Sequence, residues 1–368
     1  MSGDLDGKSV LVTGGTGTFG RAFFRHVLRE YKPRRLICFS RDEFKQWELR
    51  GELRAELGEE AIRCMRWFIG DVRDLERLRM AFRPVDIVVH AAALKHVPTG
   101  EVNPIEVIKT NVMGAENVVT AAIEQGVERV MALSSDKACA PINLYGASKL
   151  CAEKLFVAAN ALSGDGGARF AAVRYGNVIG SRGSVVELFF EQARSGGPLT
   201  ITDRRMTRFW LRIERGVEFV CECLGRMRGG EIFVPLCPSG LVVDLAEAVS
   251  PGVPWVETGI RPGEKMHESL ISDVEARTTV AIEGGYIIEP EADWYERQHD
   301  GGTRVEGRNG GYQSDTNNWL LGAASLRALV HSADPPVPAP DRAAGHRGGD
   351  GDAQVGGGLD AGAPDPGL

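Results

Sequence analysis

Two pairs of reactive side chains crowd into the stretch SSDKACAPINLYGASK, residues 134–149: Tyr145 with Lys149, and the adjacent Asp136 and Lys137. The run after Tyr145, LCAEKLFVAANAL, has helical character, and a spacing of four puts Tyr145 and Lys149 on one helix face. A nearby ammonium favours phenolate, and each unit by which a tyrosine pKa falls from about 10 is worth about 1.4 kcal/mol. Such a phenolate takes the proton of an alcohol while hydride leaves the same carbon. Plain oxidation needs no second acid and base, so Asp136 and Lys137 point to a further step, with a desolvated Lys137 of lowered pKa as base and a protonated Asp136 as acid. On local residues alone, a buried tyrosine with a surface lysine, and a solvated Asp-Lys turn, explain the same letters.

Elements that position these residues are legible upstream. KSVLVTG, RRLICFS, RCMRWFIGD, VDIVVHAAA, VERVMALSS and RFAAVRYG read as strands, and their alternation with amphipathic runs predicts βαβ units. Between the fourth and fifth strands, Ile105, Ile108, Val112, Val119 and Ile123 recur at helical spacing, with Pro104 near the start and Gly126 at the stop. The fold class expected is α/β: a Rossmann-type doubly wound parallel sheet over residues 1–174 and a smaller α/β substrate-binding lobe over 175–331. A helix near 211–227 is expected to return to the first domain. Residues 332–368, rich in Pro, Gly, Ala and Asp, bury too little apolar surface to offset their ordering entropy and are expected to be disordered.

VLVTGGTGTFG sets Gly14, Gly17 and Gly20 between the first strand and a helix. Glycines there allow a tight turn and let backbone N–H groups approach a pyrophosphate at the helix N-terminus. Thr13, Gly14, Gly17, Thr18, Phe19 and Gly20 are therefore the candidate phosphate-binding residues of a dinucleotide site. The second strand ends in CFSRDEFK, where Ser40, Arg41 and Lys45 offer donors and charge to a ribose 2′-phosphate, favouring NADP over NAD. The alternative is that Arg41 and Lys45 belong to a solvated helix start. Asp71 and Val72 are assigned to the adenine, and Ala91, Ala92 and Ala93 to the cofactor's face, with Tyr145 and Lys149 at its reactive end.

A formal charge of −7, with 43% hydrophobic and 25% charged residues, argues against bulk attraction to nucleic acid or an anionic membrane. Seven scattered cysteines read as reduced thiols, Cys221 and Cys223 as helix packing, and no metal-ligand spacing is present. MSGDLDGKSVLVTGG lacks signal-peptide character, and no apolar run reaches the length of a membrane span. A cytoplasmic location is expected.

With serines just upstream of the Tyr-Lys pair and a nucleotide-binding array before it, the chain resembles the extended short-chain dehydrogenase/reductase superfamily. GGTGTFG, FSRDE, HAAALKHVP, SSDKACAPINLYGASK, RYGNVIGSRGSV, TDRRMTRFW, GGEIFVP, IRPGEKMHE and YQSDTNNWL carry a closer likeness over residues 7–331. In that order and context they resemble the C5-inverting UDP-N-acetylglucosamine 4,6-dehydratases of the pseudaminic acid pathway. The resemblance implies Tyr145 and Lys149 as the oxidation pair, Asp136 as acid, Lys137 as C5 base and Ser135 on the substrate O4. The dTDP-glucose dehydratases carry Asp-Glu where this chain has Asp136-Lys137, so the lysine points to the inverting branch. Some relatives with Asp-Lys lack the tyrosine; this chain retains it.

A nucleotide sugar as substrate implies cations and flat polar surfaces in the smaller lobe. Lys95, Asn177, Arg182, Ser184, Arg208, Arg261 and Glu264 are the candidate UDP-N-acetylglucosamine contacts, the arginines because a planar fork suits a diphosphate. Phe209 and Trp210 are read as packing. The elimination needs no metal, and relatives assemble as dimers or larger rings, so a homo-oligomer (dimer or hexamer) is expected. A UDP-hexose 4-epimerase, using Tyr145 but not Asp136 or Lys137, and a non-catalytic NADP-binding regulator remain the alternatives.

Overall fold

Each of the six apolar runs forms a strand: β1 (Ser9–Thr13), β2 (Arg35–Ser40), β3 (Met65–Ile69), β4 (Ile87–His90), β5 (Arg129–Leu133) and β6 (Arg169–Val173). In this computed structural model, which describes residues 5–164, 166–181, 183–295, 303–304 and 311–331, they pair in parallel in the order β3-β2-β1-β4-β5-β6. Arg182 and residues 332–368, both given roles above, lie outside the described residues. Every residue of β1, β4 and β5 is buried, as expected when helices cover both faces of a parallel sheet, whereas the edge strand β3 is buried only at Met65. The connecting helices are α1 (Thr18–Glu30), α2 (Glu43–Leu57), α3 (Leu75–Ala81), α4 (Val97–Val102), α5 (Pro104–Val107), α6 (Gly114–Gln125) and α7 (Leu144–Ser163). Because the chain reverses direction across the sheet between β1 and β4, a crevice opens at their carboxyl ends.

The segment between β4 and β5 starts at Pro104 and ends at a left-handed Gly126 cap, as expected. A π-turn over Ile108–Met113 joins α5 to α6. That wider turn rotates the buried face, so Val107, Asn111, Ala115 and Val118 point inward while Ile105 and Ile108, expected on the core side, are exposed.

The returning chain brings back more than a helix. Helix Ile213–Arg226 packs against α1 with Cys221 and Cys223 both buried, and strand Ile232–Pro235 joins β6 in parallel. Gly285–Ile288, Thr279–Ile282 and Thr303–Arg304 then extend the sheet antiparallel to ten strands. Position 174 therefore marks a turn of the chain and not an edge of the sheet. A second core, including Ile179, Phe189, Leu199, Trp210, Leu245 and Leu326, sits above the crevice.

Arg174 ties α7 to the segment 270–275, both packed on the main core. Its fully buried guanidinium donates to Glu153 of α7 at 3.0 and 2.7 Å, to Glu275 at 3.0 and 2.8 Å, and to the Leu270 carbonyl at 3.0 Å. No described helix is long and apolar enough to cross a membrane.

Candidate active site

A cavity of about 940 Å³ runs from the β1–α1 turn to the stretch that carries Asp136, Lys137, Tyr145 and Lys149. At its first end Gly14 has φ +66°, and a Cβ there would sit 2.8 Å from the Ala92 backbone. A Cβ on Gly20 would meet the Gly15 carbonyl at 2.3 Å. Both glycines are thus required by close backbone approach, and Gly17 as N-cap of α1 opens the helix amides to the cavity. Gly14, Gly17, Thr18, Phe19, Gly20, Ser40, Arg41, Lys45, Asp71, Val72, Ala91, Ala92 and Ala93 all line it.

Thr13 does not line the cavity. It is fully buried, its hydroxyl is paired with His90 Nδ1 at 2.8 Å and it accepts the Ala92 amide at 3.3 Å. It braces β1 against β4, the two strands whose ends form the crevice. Around the second strand's end, two carboxylates temper the expected positive charge. Lys45 pairs with Asp42 at 2.8 Å, and Arg41 approaches Asp71 at 3.8 Å with its side chain 56% exposed. Burial works to raise the Asp71 pKa, but hydrogen bonds and charge from Arg73 outweigh it and hold the carboxyl low. The turn, the helix mouth and the length of the cavity fit a dinucleotide, with its far end at Tyr145 and Lys149.

Beyond β5 the chain forms one 3-10 turn, Asp136–Ala138, capped by Ser135, whose Oγ accepts the Lys137 amide at 3.3 Å. Asp136 is fully buried yet lines the cavity. Its Oδ1 accepts from Ser135 Oγ at 2.8 Å and from Lys137 Nζ at 3.0 Å, while Oδ2 has no partner. Gly146 lets α7 press onto this turn: a Cβ there would stand 2.2 Å from the Lys137 carbonyl. The glycine after Tyr145 is what brings the two reactive pairs together.

Lys137 corrects the expectation of a lowered pKa. Burial works to lower it, but the Asp136 and Glu268 carboxylates, with Nζ 3.0 and 3.5 Å away, prevail and raise it above the ordinary lysine value. Tyr145 also departs from the expected phenolate. Burial pushes its pKa up, against the downward pull of Lys137 and of its hydrogen bond with Ser135. Lys149 behaves differently: burial lowers it to about 8, opposed by Glu153, and its Nζ donates to the Leu133 carbonyl at 2.5 Å.

Several positioning groups carried no sequence signal that marked them out. Asn111, in the π-turn, accepts the Leu94 amide at 2.8 Å and donates to the Leu94 carbonyl and Ser148 Oγ, both at 2.9 Å. Ser148 in turn donates to the Tyr145 carbonyl at 2.7 Å. Tyr175, at the end of β6, lines the cavity, and its carbonyl accepts the Asp136 amide at 3.0 Å. Glu268 lies within the IRPGEKMHE motif, yet only the folded chain reveals its place behind Lys137.

Lys95, in the loop after β4, and Asn177, Ser184 and Arg261 of the smaller lobe line the main cavity. Partial burial lowers the Lys95 pKa, with Glu187 opposing and Lys137 adding to the shift. Asn177, Ser184, Arg261, Arg208 and Glu264 line an adjoining cavity of about 370 Å³. Asn177 Oδ1 and Ser184 Oγ are buried and unpartnered. Arg208 is not the free fork expected for a diphosphate. Its Nη1 donates to the Thr207 and Met266 carbonyls at 2.8 and 3.0 Å, and its Nη2 to the Lys265 carbonyl at 2.9 Å. Phe209 and Trp210 are buried in the two cores as expected, although Trp210 also borders both cavities. Asn143, which caps α7, ties this lobe to that helix by donating to the Gly263 carbonyl at 2.8 Å.

The chain is 49% identical over 334 residues to the inverting UDP-N-acetylglucosamine 4,6-dehydratase of Campylobacter jejuni, spanning 88% of this chain and 98% of that protein. It is 40% identical over 290 residues to the UDP-glucose 4-epimerase of Rickettsia akari, spanning 76% and 82% respectively. Among solved structures, the X-ray structure of Pen from Bacillus thuringiensis matches with a TM-score of 0.79 and 36% identity, covering 89% of this chain and 97% of that one. Residues 10–290 match the model of the polysaccharide biosynthesis protein family, and the chain belongs to that family.

Proposed function

We propose that this protein is an NADP-dependent UDP-N-acetylglucosamine 4,6-dehydratase, a hydro-lyase that leaves a 4-keto-6-deoxy sugar with C5 inverted. The observation that carries this reading is the ion pair of buried Asp136 with half-buried Lys137 in the same cavity as Tyr145 and Lys149. The similarity to the inverting dehydratase of Campylobacter jejuni supports it. An epimerase needs the tyrosine but has no use for a paired acid and base beside it.

Gly14, Gly17, Gly20 and the α1 N-terminus would hold the pyrophosphate, Ser40, Arg41 and Lys45 the ribose phosphate, and Asp71 and Val72 the adenine. The exposed Arg41 fork favours NADP. The chemistry a nicotinamide dinucleotide supplies in that crevice is reversible hydride storage, taken from the sugar's C4 and returned at C6. Tyr145, whose hydroxyl the positive ring of a bound oxidised nicotinamide would draw towards phenolate, would take the C4 hydroxyl proton, and Ser135 would hydrogen-bond O4. Lys149 anchors the reactive end of the crevice.

The ion pair of Asp136 and Lys137 already contains the acid and the base. Moving one proton along their 3.0 Å hydrogen bond converts carboxylate and ammonium into carboxylic acid and amine, with no exchange with solvent. The amine removes the C5 proton, which the C4 ketone has acidified, while the carboxylic acid protonates the departing O6 hydroxyl. Water leaves and the ion pair is restored. One proton taken from O4 matches the one delivered to C5 at the end, so the net change is loss of water. Lys95, Asn177, Ser184 and Arg261 are proposed to bind the nucleotide sugar, with Arg208 and Glu264 shaping its second cavity. A nucleotide-sugar substrate and seven unpaired cysteines fit a cytoplasmic enzyme.

Incubation with UDP-N-acetylglucosamine and NADP, followed by mass spectrometry, tests this function. Loss of one water is expected; an unchanged mass with altered C4 configuration would instead make the protein an epimerase.

A further inference from the structure

Glu268 is a carboxylate that the mechanism does not use. It is 3% exposed, and its Oε2 is buried with no hydrogen-bond partner. It precedes strand Ser269–Ile271 and is fixed through its backbone amide, which donates to Ser314 Oγ at 2.9 Å. Oε1 lies 3.5 Å from Lys137 Nζ and 3.9 Å from Arg208 Nε, and Oε2 lies 3.8 Å from Lys265 Nζ. It is absent from the residues lining the main cavity, so it faces Lys137 from behind and not the substrate.

The charges around Lys137 explain why a second carboxylate is needed there. Asp136 faces it from its own turn, Arg208 from the smaller lobe, Lys95 from the loop after β4 and Tyr145 from α7. Two of these neighbours are cations, and Lys265 adds a third behind Glu268. With Asp136 alone against them, Lys137 would release its proton to solvent at lower pH. The pair would then hold a carboxylate and an amine, a base with no acid. Elimination requires one proton to remain between the two side chains.

We propose that Glu268 is a positioning residue for Lys137, holding its side chain from behind and retaining within the Asp136–Lys137 pair the one proton that elimination requires. This rests on the reading of that pair as acid and base. Above the pH at which the pair loses its proton, the acid is missing and turnover falls. Neutralising Glu268 moves that alkaline limb to lower pH, and removing the Lys265 cation moves it higher.

The test compares the NADP-loaded wild type with Glu268→Gln and Lys265→Met. Two quantities are followed: the pH dependence of kcat for water loss from UDP-N-acetylglucosamine, and the titration of Lys137 by NMR of isotopically labelled lysine, assigned by its absence in Lys137→Met. In E268Q both the alkaline limb and the Lys137 titration should fall by about one pH unit or more, the scale of an opposite charge within about 4–6 Å, with KM little changed. In K265M both should rise. A folded E268Q whose limb and titration superimpose on wild type would overturn the proposal and leave Glu268 a structural ion-pair partner; if E268Q does not fold, a K265M titration that stays put or falls does the same. A wild type that removes no water would refute the dehydratase reading instead, while the lysine titration would still decide the role of Glu268.

Discussion

Replacing Arg174 with methionine should uncouple α7 from the segment 270–275 at a cost that can be worked from its contacts. The guanidinium is fully buried and is the counterion of Glu153, whose side chain is 2% exposed, and of Glu275, 24% exposed. Removing one partner of a buried ion pair leaves an uncompensated charge and costs about 3–5 kcal/mol. The pH dependence supplies an independent figure. Burial works to raise the Glu275 pKa, but hydrogen bonds and charge from Arg174, with Ser272, bring it down from 4.5 to about 2. A shift of that size corresponds to about 3 kcal/mol. Because the folded pKa is depressed, this stability is fully present above the unfolded value of 4.5 and is lost as pH falls towards 2. Urea unfolding of wild type and Arg174→Met, at neutral pH and in steps down to pH 3, measures both quantities. The variant should be less stable by about 3–5 kcal/mol at neutral pH and should lose less stability on acidification. A difference within about 0.5 kcal/mol, the range of an ordinary surface substitution, would refute the assignment of Arg174 as the buried tie.

Three further substitutions probe the crevice and the acid. Gly14→Ala places a Cβ against Ala92 at a positive φ and should weaken NADP binding by about tenfold or more, equivalent to about 1.4 kcal/mol, in a calorimetric titration; unchanged affinity would remove the pyrophosphate from this turn. Arg41→Ala should cut the preference for NADP over NAD by about tenfold, as expected for a lost charged hydrogen bond of about 1.5–3 kcal/mol, and an unaltered ratio of dissociation constants would exclude Arg41 from the ribose phosphate. Asp136→Asn should still oxidise C4, seen as reduced nicotinamide absorbance, while water loss slows by about 10²–10⁴-fold; equal slowing of both would make Asp136 structural.

The parallel sheet was legible because β1 and β4 are short and dominated by Val, Leu and Ile, the pattern that burial on both faces demands, and because similar apolar runs recur between amphipathic ones. The glycine turn was legible for a related reason: Gly14 and Gly20 stand where backbones come too close for a side chain. Tyr145 and Lys149 stood out by their spacing after a nucleotide-binding array, and Asp136 and Lys137 by their adjacency together with the resemblance; the structure brings all four to one cavity. Their protonation was not legible. Lys137 is raised and not lowered because Asp136 and, from far away in sequence, Glu268 face it against the effect of burial, and no local pattern encodes the second of these partners. Thr13 illustrates a second limit: its position beside the glycines suggested a ligand contact, but a strand residue pointing into the sheet finds His90 instead. Arg208 illustrates a third, since a guanidinium read as free is taken up by the carbonyls of a loop that only the fold brings near.

Lys137 as the base at C5 is tested most directly by isotope exchange in deuterated water. With UDP-N-acetylglucosamine and NADP, the wild type should release water and place one deuterium at C5 with the configuration there inverted. Lys137→Met should still reduce the nicotinamide but leave C5 undeuterated and the sugar's oxygen at C6 in place. Water loss by Lys137→Met at the wild-type rate, with deuterium entering C5, would contradict the assignment.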